Sequence, residues 1–263
     1  MRYPIILLLS TLLLSAKVHY AKVEPLERSI IKSAVSGTIT SVDLSSEGKF
    51  ADQNSIIQID DRLDRANLKT SKQSLTLIKE TLAINSDILS GVDETFQIKK
   101  RYYDRIKSLS TSSKTQIDNA LSGYIASKNQ LLSTKEKIIN LKKQILDMEY
   151  KIDMLEDTIS KKSISPKGRY IYKLMVRAGE FANPGMPLAT VDDLHKAKLV
   201  LFLDRDELKG IKKKKIYIDD AETDLEISNI WKVSDEKFIS EYRAEIVIEP
   251  TYRFSSLLKV EIR

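Results

Sequence analysis

The sequence predicts an elongated α+β chain in which a split β domain carries an inserted antiparallel coiled-coil hairpin and is followed by a small antiparallel β-barrel. Three observations predict it. Residues 37–61 and 168–192 match each other: Gly37 and Gly48 fall on Gly168 and Gly179, Phe50 and Ala51 on Phe181 and Ala182, Asp52 on Asn183, Ile57 on Leu188 and Asp61 on Asp192. Between the two copies run two long heptad series. After Asp192 the pattern changes to short runs in which apolar and polar residues alternate.

The chain opens on Arg2, an apolar run over residues 5–14 and small residues at Ser15, Ala16 and Ala21, the pattern of an export leader. The run is too short to span a bilayer, which takes about 20 apolar residues. Residues 1–21 therefore read as a signal peptide, cleaved after Ala16 or Ala21, with an uncleaved anchor as the alternative. No cysteine follows the run, so a lipoprotein anchor is excluded. Loss of Arg2 and Lys17, two positive charges, would take the formal net charge from +6 to +4. That mildly basic balance does not point to nucleic acid.

The first copy of the repeat, with an N-terminal strand, occupies residues 22–61, and the second occupies 164–194. Each offers a few short strands with glycines at turns, and neither is long enough to bury a core alone. Two such halves meeting in space make one small β domain.

Residues 62–163 form the insert. From Asp64 the seam steps by four and three through Leu68, Ser71, Leu75, Ile78, Leu82, Asn85, Leu89, Val92, Phe96, Lys99, Tyr103 and Ile106. A second seam runs through Ile117, Ala120, Tyr124, Ser127, Leu131, Thr134, Ile138, Leu141, Ile145, Met148, Ile152, Leu155 and Ile159. If the chain folds back near Thr111 and Ser112, seam residues meet partners whose numbers add to a constant: Ile106 with Ile117, Leu82 with Leu141, Leu68 with Leu155. In that register Tyr103 faces Ala120 and Phe96 faces Ser127, large against small, as close packing favours. Asp64, Ser71, Asn85 and Lys99 are polar and cost the seam stability. Asn85 either fixes the register, which Leu82 and Leu141 mark, or is a tolerated polar contact.

Residues 110–113, Ser-Thr-Ser-Ser, break the heptads and form the hairpin tip. Ser112 or Ser113 suits the N-cap of the second helix, and the plainest reading of the tip is a solvated turn.

The barrel, residues 195–263, is read from strands at 199–203, 216–218, 225–230, 242–248 and 258–262, with a helical turn at 206–210. The four lysines at 212–215 read as a solvated turn, with an anionic headgroup or acidic partner as the alternative.

Little of this suits catalysis. There is no cysteine, which removes thiol chemistry and disulfides, and His19 and His195 are the only histidines, too few for a His-rich metal site. His195 follows Asp192 and Asp193, but no Gly-x-Ser-x-Gly accompanies it. The Asp-Asp-Leu-His run reads instead as a polar linker between domains. No phosphate-binding Gly-rich loop occurs. The expectation is a protein that is not an enzyme, with no catalytic residues, cofactor or metal.

Taken together, Gly37-x10-Gly48-Lys-Phe-Ala-Asp, Gly168-x10-Gly179-Glu-Phe-Ala-Asn, the heptad hairpin between them and the closing Leu258-Lys-Val-Glu-Ile262 resemble the periplasmic adaptor, or membrane fusion, proteins of the HlyD and RND-adaptor superfamily. The resemblance implies that the split domain is biotinyl-lipoyl-like. It also implies a periplasmic protein, associated with the inner membrane through its transporter, that bridges an ABC- or RND-type inner-membrane transporter to a TolC-type outer-membrane channel and transports small molecules. Such adaptors assemble as rings, commonly of six. At their hairpin tips an Arg, Leu and Ser set docks the channel; Arg105, Leu109 and Ser113 resemble that set, although residues 109–113 are a shorter stretch than the family pattern. A fourth, membrane-proximal β domain is expected to be absent. A true lipoyl or biotin carrier is not expected, because the displayed lysine hairpin is replaced by the coiled coil. The competing reading is a structural coiled-coil protein of the envelope with no part in transport.

Overall fold

The computed structural model describes residues 17–52, 54–233 and 240–263; the apolar run of the expected leader lies outside them. The strands and helices are β1 (Val18–Lys32), β2 (Gly37–Val42), β3 (Ile57–Ile59), α1 (Arg62–Ser108), α2 (Lys114–Lys161), β4 (Ser163–Ile164), β5 (Tyr170–Leu174), β6 (Phe181–Ala182), β7 (Pro187–Asp204), β8 (Ile216–Ile218), β9 (Ala221–Thr223), β10 (Asn229–Ile230), β11 (Glu241–Ile248) and β12 (Leu257–Ile262).

The two repeat copies do meet, and each completes the other. Residues of the first copy's turn bond to the second: Gly48 and Ala51 donate their amides to the carbonyls of Ile171 and Arg169 at 2.9 and 2.8 Å. The second copy answers in kind, with Gly179 donating to Ile39 at 2.8 Å and β6 pairing with β2 through Gly37 and Ala182. Gly48 and Gly179 occupy matching left-handed conformations at φ 76° and 93°, which a side chain would strain. The buried cluster draws on both copies, with Ile39, Ala51, Ile57 and Ile59 packed with Ile171, Leu174, Ala182 and Leu188.

The barrel is an antiparallel sheet in the order β10-β11-β7-β1-β12-β8-β9. Alternate residues point to one core: Ala197, Leu199, Leu201 and Leu203 from β7, Ala244, Ile246 and Ile248 from β11, Leu258, Val260 and Ile262 from β12. The sequence pattern of period two is this inward face.

Three expectations change. The Asp-Asp-Leu-His run is not a linker, because β7 runs unbroken from Pro187 to Asp204 and pairs with β1 along most of its length. The two domains therefore share a continuous two-stranded spine, with a register shift between Pro25 and Glu27 where the ladder passes from one to the other. The barrel does not begin at residue 195, since Val18, His19, Tyr20 and Ala21 pair with β12 and Ala21 is fully buried in the barrel core. These four residues fall in the segment read as leader. Finally, residues 225–228 are irregular, and only Asn229 and Ile230 of the expected 225–230 strand pair, with β11.

The hairpin helices hold 47 and 48 residues, about 70 Å each at 1.5 Å per residue. The ring of Tyr124 lies 5.7 Å from the rings of both Phe96 and Tyr103. It sits midway between them, level with Lys99. The buried seam residues are Ser71 and Asn85 from α1 and Ala120, Leu131, Thr134, Ile138, Leu141 and Ile152 from α2. Asn85 satisfies its amide within its own helix, donating to the carbonyl of Thr81 at 2.7 Å. Asp64 is paired rather than costly: Lys162 Nζ lies 2.5 Å from its carboxylate.

Candidate partner-docking tip

The tip is built by two adjacent serines with opposite tasks. Ser112 Oγ donates to the carbonyl of Ile106 at 2.8 Å, a second bond to an acceptor at the end of α1 that the Leu109 amide also reaches at 3.3 Å. Ser113 is the N-cap of α2: its Oγ accepts from the Gln116 amide at 3.2 Å, and the Gln116 side chain accepts from the Ser113 amide at 2.8 Å. This reciprocal capping box starts α2 one residue after the turn. Sequence reading offered Ser112 and Ser113 as alternative caps; it missed Gln116, which stands three residues after Ser113 and so carried the signal.

Arg105, Leu109 and Ser113 are all exposed at this end of the hairpin. Leu109 ends α1 in an extended conformation, with φ −83° and ψ 124°, so it no longer follows the helical face of Arg105. Its side chain is 48% exposed. The Arg105 guanidinium lies 5.6 Å from the centre of the Tyr102 ring, and Lys107 Nζ lies 5.7 Å from that of Tyr103. Two cations stand on aromatic faces beside an exposed leucine, close to the C-terminal end of α1, whose dipole favours positive charge. The arrangement offers forked N–H donors and a small apolar contact.

The other singled-out residues lie far from the tip. Leu82, Asn85 and Leu141 sit along the shaft, where Asn85 and Leu141 are buried. His195 lies at the junction of the β domains, its Nδ1 2.9 Å from Asp193. The His195 amide and ring, with the Arg169 charge, hold the Asp193 carboxyl below the usual carboxylate range. Repeat-matched Asp61 and Asp192 are both buried; Asp192 accepts a forked pair from Arg28 at 2.7 and 2.9 Å, and Asp61 accepts from Arg65 at 2.8 Å. These pairs hold the split domain and the root of the hairpin. Among the described residues, no cluster of three or more acidic or histidine side chains is placed to hold a metal ion, and no helix is long and apolar enough to cross a membrane.

No protein-family model matches the chain, and no curated protein matches its sequence. Solved structures do match. MacA from Actinobacillus actinomycetemcomitans superposes with a TM-score of 0.70 at 15% identity, over 94% of this chain and 78% of that one. The membrane fusion protein Spr0693 from Streptococcus pneumoniae R6 gives 0.60 at 8% identity, over 94% of this chain and 99% of that one. A MacA-MexA chimera containing the Pseudomonas aeruginosa MexA α-hairpin domain gives 0.54 at 16% identity, over 94% and 81%. The interlocked split domain, the hairpin projecting from it and the shared spine into the barrel together give this chain the fold of the membrane fusion, or periplasmic adaptor, proteins.

Proposed function

We propose that the chain is the periplasmic adaptor subunit of a tripartite efflux or secretion system. In this reading the β domains engage an inner-membrane transporter of ABC or RND type, and copies of the chain form a ring, of six as the resemblance implies. The hairpin tip meets a TolC-type outer-membrane channel. The observation that carries it is the hairpin itself: about 70 Å of rigid arm ending in an exposed guanidinium and leucine, Arg105 and Leu109, fixed by two serine caps. A structural spacer would need neither. Arg105 supplies forked hydrogen bonds to carbonyl or carboxylate groups at a partner helix end, Leu109 an apolar contact, and Ser113, through its capping box, the shape of the turn together with a hydroxyl that donates to no acceptor among the described residues.

The test is export in cells that depend on the protein. Arg105→Asp and Leu109→Ser should each abolish export and capture of the channel while leaving helicity and transporter binding unchanged. Ser113→Ala should cost about 1 kcal/mol of helix stability with a milder export defect. Full export by both tip variants would sink the docking role and favour the structural coiled-coil reading.

A further inference from the structure

Among the described residues the barrel does not close on itself. Its strand path runs from β10 to β9, and no pairing joins those two ends. The chain between them, residues 224–228, is irregular, although Leu225 and Ile227 still pack on the barrel core. Across the gap the chain enters β8 through a short 3-10 turn, Ile211–Lys213, in place of a strand. Both segments line one cavity of about 670 Å³, within the range of about 300–1,000 Å³ that small-molecule sites occupy.

The cavity grades from hydrocarbon to charge. Ile216, 1% exposed, forms its floor, with Ile211, Ile227 and Ile230 half-buried on its sides and Lys212 and Lys232 exposed at its mouth. No aromatic ring lines it. Lys214 reaches it too, but its Nζ already donates to the Glu207 carbonyl at 2.8 Å. Lys212 and Lys232 have no hydrogen bond or ion pair among the described residues. Glu226 is the single carboxylate set against these three lysines, so the lining is net positive. The lysine run at 212–215, which reads from sequence as a solvated turn, is therefore divided. Lys214 braces the loop, Lys215 lies 3.5 Å from Glu222, Lys213 is turned about 120° away on the 3-10 turn, and Lys212 faces the cavity.

We propose that this cavity binds an amphipathic anion, with a single hydrocarbon chain against the isoleucines and a carboxylate, sulfate or phosphate end held by Lys212 and Lys232. The two ammonium groups border an apolar wall, where their attraction for an anion is less screened than in open water. A peptide, nucleotide or sugar would set hydrogen-bonding groups against four isoleucines that cannot answer them. An uncharged hydrocarbon would leave both lysines without a counter-ion. A free amphiphile and an anionic membrane lipid present the same chemistry, one chain and one anionic end. The site stands on the barrel alone and requires neither the ring nor the docking of the hairpin tip.

Titration calorimetry on the full-length mature protein tests this with octanoate, decanoate and dodecanoate below their micelle concentrations. Binding should saturate at one site per chain, and each two-carbon step should tighten it about tenfold, as burial of two methylenes requires. Acetate and 1-decanol, a head without a chain and a chain without a charge, should bind at least tenfold more weakly than decanoate. Trp231, the one tryptophan of the chain, stands between Ile230 and Lys232, so its emission should change along the same binding curve. Lys212→Glu and Lys232→Glu should each weaken decanoate about tenfold, while Lys213→Glu, an equally exposed lysine outside the cavity, should leave it unchanged. Co-sedimentation with phosphatidylglycerol vesicles that decanoate displaces would identify a membrane lipid as the source, and saturable decanoate binding without co-sedimentation a free amphiphile; either supports the site. No saturable binding of any of the three acids, 1-decanol binding as tightly as decanoate, an equal effect of the Lys213 and Lys212 variants, or vesicle binding that decanoate does not displace would overturn it.

Discussion

Lys162 closes the root of the hairpin on Asp64: its Nζ lies 2.5 Å from the Asp64 carboxylate and 2.7 Å from the backbone carbonyl of Asp60. Both side chains are largely buried, at 11% and 22% exposure. One lysine thus ties the last residue of the hairpin to its first turn and to the strand end that launches it. Lys162→Met should lower stability by about 2 kcal/mol, because the Asp64 carboxylate is left half-buried without its cation. Asp64→Asn in the same chain should recover part of the loss. Urea midpoints of the two single variants and the double variant, followed by helicity, check this.

Next to the clamp, Asp60 is held down to about 2 from its ordinary 3.8, first by the Arg62 side chain and then by the Arg62 amide. A carboxylate depressed in the folded state contributes stability that is fully present above its unfolded value and is lost as pH falls through the folded one. Asp60→Asn should therefore lower the denaturation midpoint at pH 6, and the difference from wild type should vanish as the pH falls from about 4 to about 2. A difference that persists unchanged at pH 2 would assign the effect to something other than this carboxylate.

The hairpin register is open to crosslinking. Tyr124 sits between Phe96 and Tyr103, a placement that supports Leu82 opposite Leu141. Leu82→Cys/Leu141→Cys should oxidise within one chain. Leu82→Cys/Thr134→Cys should not, since a heptad slip moves the partner about 10 Å, beyond disulfide reach. Equal yields from both pairs would mean a sliding hairpin.

If the leader is cleaved, the barrel favours the site after Ala16 over the one after Ala21. His19 Nε2 lies 2.6 Å from Glu207, Lys17 Nζ lies 2.8 Å from Asp204, and Ala21 is fully buried. Cleavage after Ala21 would take Val18, His19, Tyr20 and Ala21 out of β1 and leave most of one edge of β12 without its hydrogen-bond partner. N-terminal sequencing of the exported protein should begin at Lys17; a first residue of Lys22 would show that the barrel folds without this segment.

Much of the fold was legible in residue spacing because its elements obey short periods. The heptads of residues 64–159 dictate two helices that must bury a common stripe. The alternation at 197–203, 244–248 and 258–262 dictates strands with one face in a core. The matched glycines at 48 and 179 mark turns that only glycine adopts without strain. At the tip, Arg105, Leu109 and Ser113 came from the family resemblance, whereas the residue types alone read as a solvated turn, and the structure adds which serine caps which helix, because capping depends on the angle at which α1 ends. Three things waited for the tertiary structure. The Asp-Asp-Leu-His run looks like a linker by composition, yet it lies within β7, where Asp192 and Asp193 pair with Arg28 and Glu27 of β1 from more than 160 residues away in sequence, a pairing no local pattern encodes. Residues 18–21 look like the end of a leader, yet they complete the barrel for the same reason. Asp64 looks like a flaw in the seam until Lys162, 98 residues on, is folded back against it. Local periodicity determined what each segment is. Non-local pairing, which requires the hairpin to return the chain to its starting point, decided what each segment is for.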